Sequence, residues 1–252
     1  MNLKDTLSTK RLLFLLIFTV LVFAGNRVNF SALVGADNQF FTLFQFFGPI
    51  AGGFLGSAPG AITVLLAELL DAVAAGKAFT LLNILRFAPM AFGALFFGMI
   101  TFRKKNDPAS TFLAAAVPAA CIALFVLHPV GREVWYFSLY WLIPVAAALL
   151  PRKTPGALLL RSYGATFTAH AVGGALWIWT VPMSPEQWIA LIPVVAFERF
   201  LFGLGIGGSY ILVNSFLDFA AEKMRVPLPE HIVRVDRRYA LGRFFARRAG
   251  RE

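Results

Sequence analysis

A chain of 252 residues that is 58% hydrophobic and only 14% charged, with a mean hydropathy of +0.72, is too apolar for a soluble domain of ordinary composition. Its net charge of +10 would suit nucleic acid, but the bases fall at the N-terminus, in two short loops and in the C-terminal tail, so membrane topology explains them better and no nucleic-acid partner is expected. The single Cys121 lies inside an apolar run, which excludes an intramolecular disulfide and argues against a thiolate metal site; no cofactor is expected.

Apolar runs of about 15 to 25 residues recur along the chain, the length that crosses a hydrocarbon core of about 30 Å as a helix, and the two-residue alternation of a β-barrel is missing. The sequence therefore predicts an all-α, polytopic helical membrane protein. About eight transmembrane helices are expected, six at the fewest, over about residues 12–25, 39–56, 59–75, 82–102, 110–128, 135–151, 157–181 and 187–221. Lys4, Lys10 and Arg11, then Arg103-Lys104-Lys105, then Arg152-Lys153 and the basic tail all fall on one side of such a bundle, which places both termini in the cytoplasm of a cell membrane.

The first span follows Lys4, Lys10 and Arg11 and ends in Val22-Phe23-Ala24, imitating a signal peptide; the length of its apolar run favours a retained helix. The outer loop after it, NRVNFSALVGADNQ, supplies Asn26, Arg27, Asn29 and Asn38, and Gln45 follows about two turns into the second span. Gly48, Gly52 and Gly56 recur every four residues, so they share a helical face on which another backbone can approach closely. A tight turn is expected at Ser57-Ala58-Pro59-Gly60, opening the third span.

An ionisable side chain near the bilayer centre costs at least about 2.5 to 3.5 kcal/mol on insertion scales, so each one needs a partner, water or a function. Glu68 and Asp71, three residues apart, share one face of the third span, and Arg86 in the first turn of the fourth is placed to answer one of them. Such a pair reads equally well as a helix pin and as part of a ligand site. The fifth span runs into VLHPVGREVWYFSLYWL, where an aromatic belt explains the rings but leaves His128 and Arg132 unexplained. His170 lies near the middle of the seventh span beside Ala165, Ala169 and Gly173. Glu198 and Arg199 are adjacent in the eighth, about 100° apart, and so are expected to address different neighbours. That span is too long for a simple crossing and is expected to tilt, protrude or break at Gly203 to Gly208.

Two regions follow: a transmembrane helical domain over 1–222 and a basic tail over 223–252. In the tail, IVRVDRRYALGRFFARR sets Val235, Tyr239, Phe244 and Phe245 against arginines, as an amphipathic helix on an anionic leaflet would, or as a solvated basic tail that only fixes topology.

Asn29, Asn38, Gln45, Glu68, Asp71, Arg86, His128, Arg132, His170, Glu198 and Arg199 all fall in the outer half of this bundle or at its mouth. Amides, both signs of charge, imidazoles and aromatic rings at one depth suit a pocket for a small polar molecule, planar or not, arriving from outside. No HExxH, GxSxG, CxxC or Walker A sequence is present, so energy for pumping would have to come from a partner.

The stretch FTLFQFFGPIAGGFLGSAPGAITVLLAELLDAV resembles the region of the substrate-capturing S components of energy-coupling factor (ECF) transporters in which a polar loop precedes a helix running into FGPxxG, further small residues and an acid. LLNILRFAPMAFGALFFGMITFRKK is similar to their pattern of an arginine at a helix start, a proline, a small-residue helix and a basic cytoplasmic end; the resemblance covers about residues 20–105. It implies a membrane-embedded binding protein that captures a vitamin or similar micronutrient at its outer face, docks on a coupling subunit bearing two ATPases, and topples to release its cargo inside. By position it implies a lid over Asn26 to Asn38, with Gln45, Glu68 and Arg86 facing the pocket. Two other classes remain open: an intramembrane enzyme acting on a lipid-linked substrate, with Glu68, His170 or Glu198 as acid or base, and a structural or assembly subunit whose buried charges only pin helices.

Overall fold

The computed structural model describes residues 9–32, 40–76, 78–103, 107–151, 154–223 and 234–242. Helix α1 (Thr9–Asn26) leads into an antiparallel hairpin, β1 (Asn29–Ala32) and β2 (Phe40–Thr42), in which Ala32 pairs with Phe40 and Asn29 with Thr42. A 3-10 turn over Leu43–Phe46 is followed by α2 (Ile50–Leu55), α3 (Ser57–Ala74), α4 (Leu81–Leu85), α5 (Ala88–Phe102), α6 (Pro108–Leu127) and α7 (Pro129–Glu133). A second 3-10 segment, Trp135–Trp141, precedes α8 (Leu142–Leu149), α9 (Ala157–Thr180) and α10 (Pro185–Lys223); a third covers Arg237–Tyr239.

The helical expectation stands. Among the described residues, four helical stretches are long and apolar enough to cross a membrane: Ser57–Ala74, Asn83–Phe102, Pro108–Leu127 and Pro185–Ala220. Their packing agrees with a membrane protein. Along α3, Ile62, Leu66, Leu70 and Val73 are each more than half exposed and share one face, while Val64, Ala67 and Asp71 are buried on another. Such a continuous apolar outer stripe is costly in water and natural in lipid.

Helix α5 is the packing centre, touching α2, α3 and α9. It can do so because the backbones nearly meet. A Cβ on Gly52 would collide with the Ala94 carbonyl oxygen, one on Gly60 with the Gly52 backbone, and one on Gly98 would lie 2.6 Å from the Ser57 Cα. Small residues are what bring membrane helices this close, since apolar side chains gain nothing by leaving lipid for protein. Helix α9 is enclosed by α5, α6, α8 and α10 and carries buried residues on every side, from Arg161 to Ile178.

Three of the expected spans differ from continuous helices. Residues 40–55 form strand, 3-10 turn and the short α2, because Gly48-Pro49 and Gly52-Gly53 weaken the helix and Gly56, at φ +100°, ends it. Of the three expected face glycines, Gly52 makes the close backbone approach, Gly48 meets the Met90 side chain, and Gly56 forms the turn into α3. The fourth span divides at Arg86-Phe87 into α4 and α5, with Pro89 in the first turn of α5, where its missing N–H costs least. In the sixth, 3-10 geometry over Trp135–Trp141 precedes α8.

Of the three options for the eighth span, to tilt, protrude or break at Gly203 to Gly208, the break does not occur: α10 is one helix of 39 residues, about 58 Å at 1.5 Å per residue. Two of its glycines are sockets for rings. A Cβ on Gly203 would overlap the Tyr163 ring and one on Gly205 the Phe46 ring.

At the end of the bundle opposite the hairpin, Arg161 is buried, donating to Ala157 O (3.2 Å), Thr101 Oγ1 (3.1 Å) and the Tyr239 hydroxyl (3.3 Å). The rings of Phe97, Tyr210 and Tyr239 stand within 6 Å of its guanidinium carbon. Arg103, read in the sequence as a topology signal, also donates to the carbonyls of Ala148 and Leu150 at the end of α8.

Residues 234–240 fold back onto this end and 241–242 are helical; most of the expected amphipathic stretch lies outside the described residues. Arg234 N donates to Phe54 O (3.1 Å), and the Asn214 amide holds the Asp236 backbone from both sides, donating to its carbonyl (2.9 Å) and accepting from its N–H (2.8 Å). Val235 and Tyr239 therefore pack against protein. Burial pushes the Asp236 carboxyl up, but hydrogen bonds from the Arg238 side chain and backbone, with the Arg238 charge, outweigh it and hold the group below the usual carboxylate range. Phe244 and Phe245 lie outside the described residues.

Two outcomes test this packing. Gly52→Val is expected to cost about 1 to 3 kcal/mol or more and to lower the unfolding temperature in detergent by several degrees. Gly208→Ala, with no atom within 4 Å of the added methyl, is expected to leave it unchanged or slightly raised; equal losses from both would refute the close approach. Asn214→Ala is expected to speed tryptic cleavage at Arg237 and Arg238, and an unchanged rate would show that the Asn214 bonds do not hold the tail.

Candidate functional site

The hairpin end of the bundle encloses a cavity of about 700 Å³. Its walls come from the end of α1, the hairpin and first 3-10 turn, the second half of α3, residues 78–90, the second half of α9 and the first half of α10. Asn29, Gln45, Glu68, Asp71, Arg86, His170, Glu198 and Arg199 all border it. The fold thus brings together residues from both halves of the chain. Asn38 lies outside the described residues. His128 and Arg132 sit elsewhere: His128 meets the Trp179 ring edge-on at 4.9 Å and Arg132 is exposed on α7.

The acids are answered differently from expectation. Asp71, buried on α3, accepts from Arg27 Nη1 at 2.7 Å, so its partner is the base of the first outer loop and not Arg86. Arg86 interacts electrostatically with Glu68 instead. The reason is the chain path: α1 packs against α3, which puts Arg27, just past the end of α1, beside the last turn of α3.

His170 faces the cavity from α9, and its Nδ1 accepts a hydrogen bond from Trp141 Nε1 at 3.0 Å. An indole N–H only donates, so the imidazole is neutral while this bond stands and its proton is on Nε2. Phe137 and Phe167 pack against the ring at 5.6 and 6.3 Å between centroids and fix its plane.

Glu198 and Arg199 also depart from expectation. Their charged ends converge, with Arg199 Nη2 3.8 Å from Glu198 Oε2, too long for a hydrogen bond. Arg199 is 2% exposed and its guanidinium lies 4.6 Å from the Phe41 ring centroid and 4.9 Å from that of Phe202. Its Nε is buried without a hydrogen-bond partner among the described residues. Phe41 belongs to β2, and Phe30 of β1 meets Phe202 at 5.2 Å, so the hairpin is fastened to α10 through aromatic rings gathered around this arginine.

Among the described residues, Glu68, Asp71 and Glu198 line the cavity with Arg86 and Arg199, and Arg27, outside the lining, answers Asp71. Among the described residues no group of three or more His, Cys, Asp or Glu side chains converges to hold a metal ion. Sequence reasoning passed over Asn83, Phe41, Trp177 and Trp188, which also line the cavity. Trp188 had a legible signal: Trp188, Leu191, Val195, Glu198 and Phe202 recur at spacings of three and four, one stripe of α10 that includes a charge.

A double-mutant cycle of Arg27→Gln and Asp71→Asn, read by thermal unfolding, is expected to give a coupling of about 1 kcal/mol or less, because Arg27 is half exposed. Strictly additive losses would show that the pair does not act as one. In comparisons with known proteins, the chain matches no protein-family model, no curated protein and no solved structure.

Proposed function

We propose that this chain is a multi-pass protein of the cell membrane, with about eight spans and both termini cytoplasmic, that captures a small polar, micronutrient-like solute from the outer face. It depends on partner subunits for energy, as the resemblance to the S components of ECF transporters implies: a coupling subunit and its ATPases. The basic tail faces the anionic leaflet on the opposite side.

The observation that carries this reading is the cavity itself. The eight polar or charged residues named above, from six separate parts of the chain, converge on about 700 Å³ of space, the size of a small-molecule site. A pair that served only to pin helices would be expected to close its hydrogen bonds, since desolvated charges are costly without them. Glu198 and Arg199 stand 3.8 Å apart inside the fold, beside open space. Of the three residues that the enzyme reading offers as acid or base, Glu68, His170 and Glu198, His170 has its Nδ1 occupied by the Trp141 indole, which leaves Nε2–H as a donor toward a solute.

Native mass spectrometry of gently extracted protein tests the proposal. A non-lipid small molecule is expected to co-purify with the wild type and to be lost from Arg199→Gln, while the variant keeps its helical content and elution volume. Recovery of bound lipid alone, or catalytic turnover by the isolated chain, would overturn the capture reading.

A further inference from the structure

Resting on the capture reading, the chemistry of the cavity narrows the class of solute. Arg199 makes two ring contacts and one long ion pair, and no hydrogen bond from its guanidinium is found among the described residues. Glu198 is 4% exposed, and its carboxylate has that same 3.8 Å ion pair for company. An acceptor and a fork of donors therefore stand side by side at the cavity wall, both desolvated and neither saturated. Buried polar groups are hydrogen-bonded in folded proteins as a rule, and the group that would complete these has to come from the solute.

Charge decides what that group is. A carboxylate set against Arg199 would also face Glu198, and an ammonium set against Glu198 would face Arg199; in a site of low dielectric constant either repulsion is felt strongly. With Arg27 counted against Asp71, acids and bases at the cavity balance among the described residues, so a charged solute would leave one unit of net charge inside. An uncharged edge that donates to Glu198 and accepts from Arg199 satisfies both at once. A further donor points the same way: His170 offers Nε2–H, so the solute carries an additional acceptor.

The rings set its shape. Phe137 and Trp188 stand edge to face at 4.9 Å on one wall, and Phe41 is held over the Arg199 guanidinium on another, so flat aromatic surfaces border the space. We infer that the solute is an uncharged planar heterocycle presenting an adjacent N–H donor and C=O acceptor, the edge of a cyclic amide or imide, seated against Glu198 and Arg199. A remaining carbonyl or ring nitrogen takes the donor of His170.

Titration calorimetry on the full chain in nanodiscs tests this with four probes: lumazine, a planar pteridine dione; its N,N-dimethyl derivative, which lacks both N–H donors; benzoate; and benzylammonium. Lumazine is expected to bind and the dimethyl derivative to bind at least ~100-fold more weakly, because a site built around a hydrogen bond rejects the analogue that lacks it. Glu198→Ala and Arg199→Lys, checked for wild-type helical content, are each expected to weaken lumazine about tenfold or more. Tighter binding of benzoate or benzylammonium, or indifference to N-methylation, would overturn the inference and leave the capture reading intact. If none of the four binds, the co-purified solute decides: a cyclic amide or imide edge upholds the inference, a solute without one overturns it, and no solute at all removes the capture reading with it.

Discussion

Backbone meeting backbone at α5 is the constraint from which the rest of the arrangement follows. With no side chain at Gly52, Gly60 or Gly98, α2, α3 and α5 sit closer than any larger residue would allow. That fixes where α3 ends, and with it Glu68 and Asp71; it also fixes where α5 begins, and with it Arg86. Helix α9 completes the frame by packing along α5, which sets His170 beside the same space. A cavity survives at this end because the small residues that draw the helices together lie toward the other.

Charge is distributed along the same axis. At the far end Arg161 and Arg103 are saturated by carbonyls, a hydroxyl and rings, and the returning segment over Arg237–Tyr239 closes over them. At the cavity end Glu198 and Arg199 are buried just as deeply but left with one long contact between them. Buried charge costs the same at both ends, but it is compensated by hydrogen bonds and rings at one and by rings and a single long ion pair at the other.

Much of this was legible in the sequence, and for identifiable reasons. A membrane forces ionisable residues to declare themselves, so Glu68, Asp71, Arg86, His170, Glu198 and Arg199 could be picked out one by one although nothing in the sequence says they meet. Pairing was less legible. Asp71 chose Arg27 because α1 lies against α3, a tertiary fact, and a local reading naturally offered it Arg86. The glycines of 203–208 looked like a weakness because helix propensity was the available measure; Tyr163 and Phe46, far away in sequence, make two of them into sockets. The hairpin over Asn29 to Thr42 was hidden inside a loop and the start of an apolar run, whose hydropathy says nothing about strand pairing.

The continuity of α10 has a mechanical consequence. Arg199 at the cavity and Asn214 at the docked tail are fifteen residues apart, about 22 Å along an uninterrupted helix. A helix with a hinge between them would absorb a displacement at one end; a rod delivers it to the other. Any tilt of α10 that accommodates a molecule beside Arg199 must therefore shift the surface on which residues 234–242 rest, so the two faces of the protein cannot rearrange independently of each other.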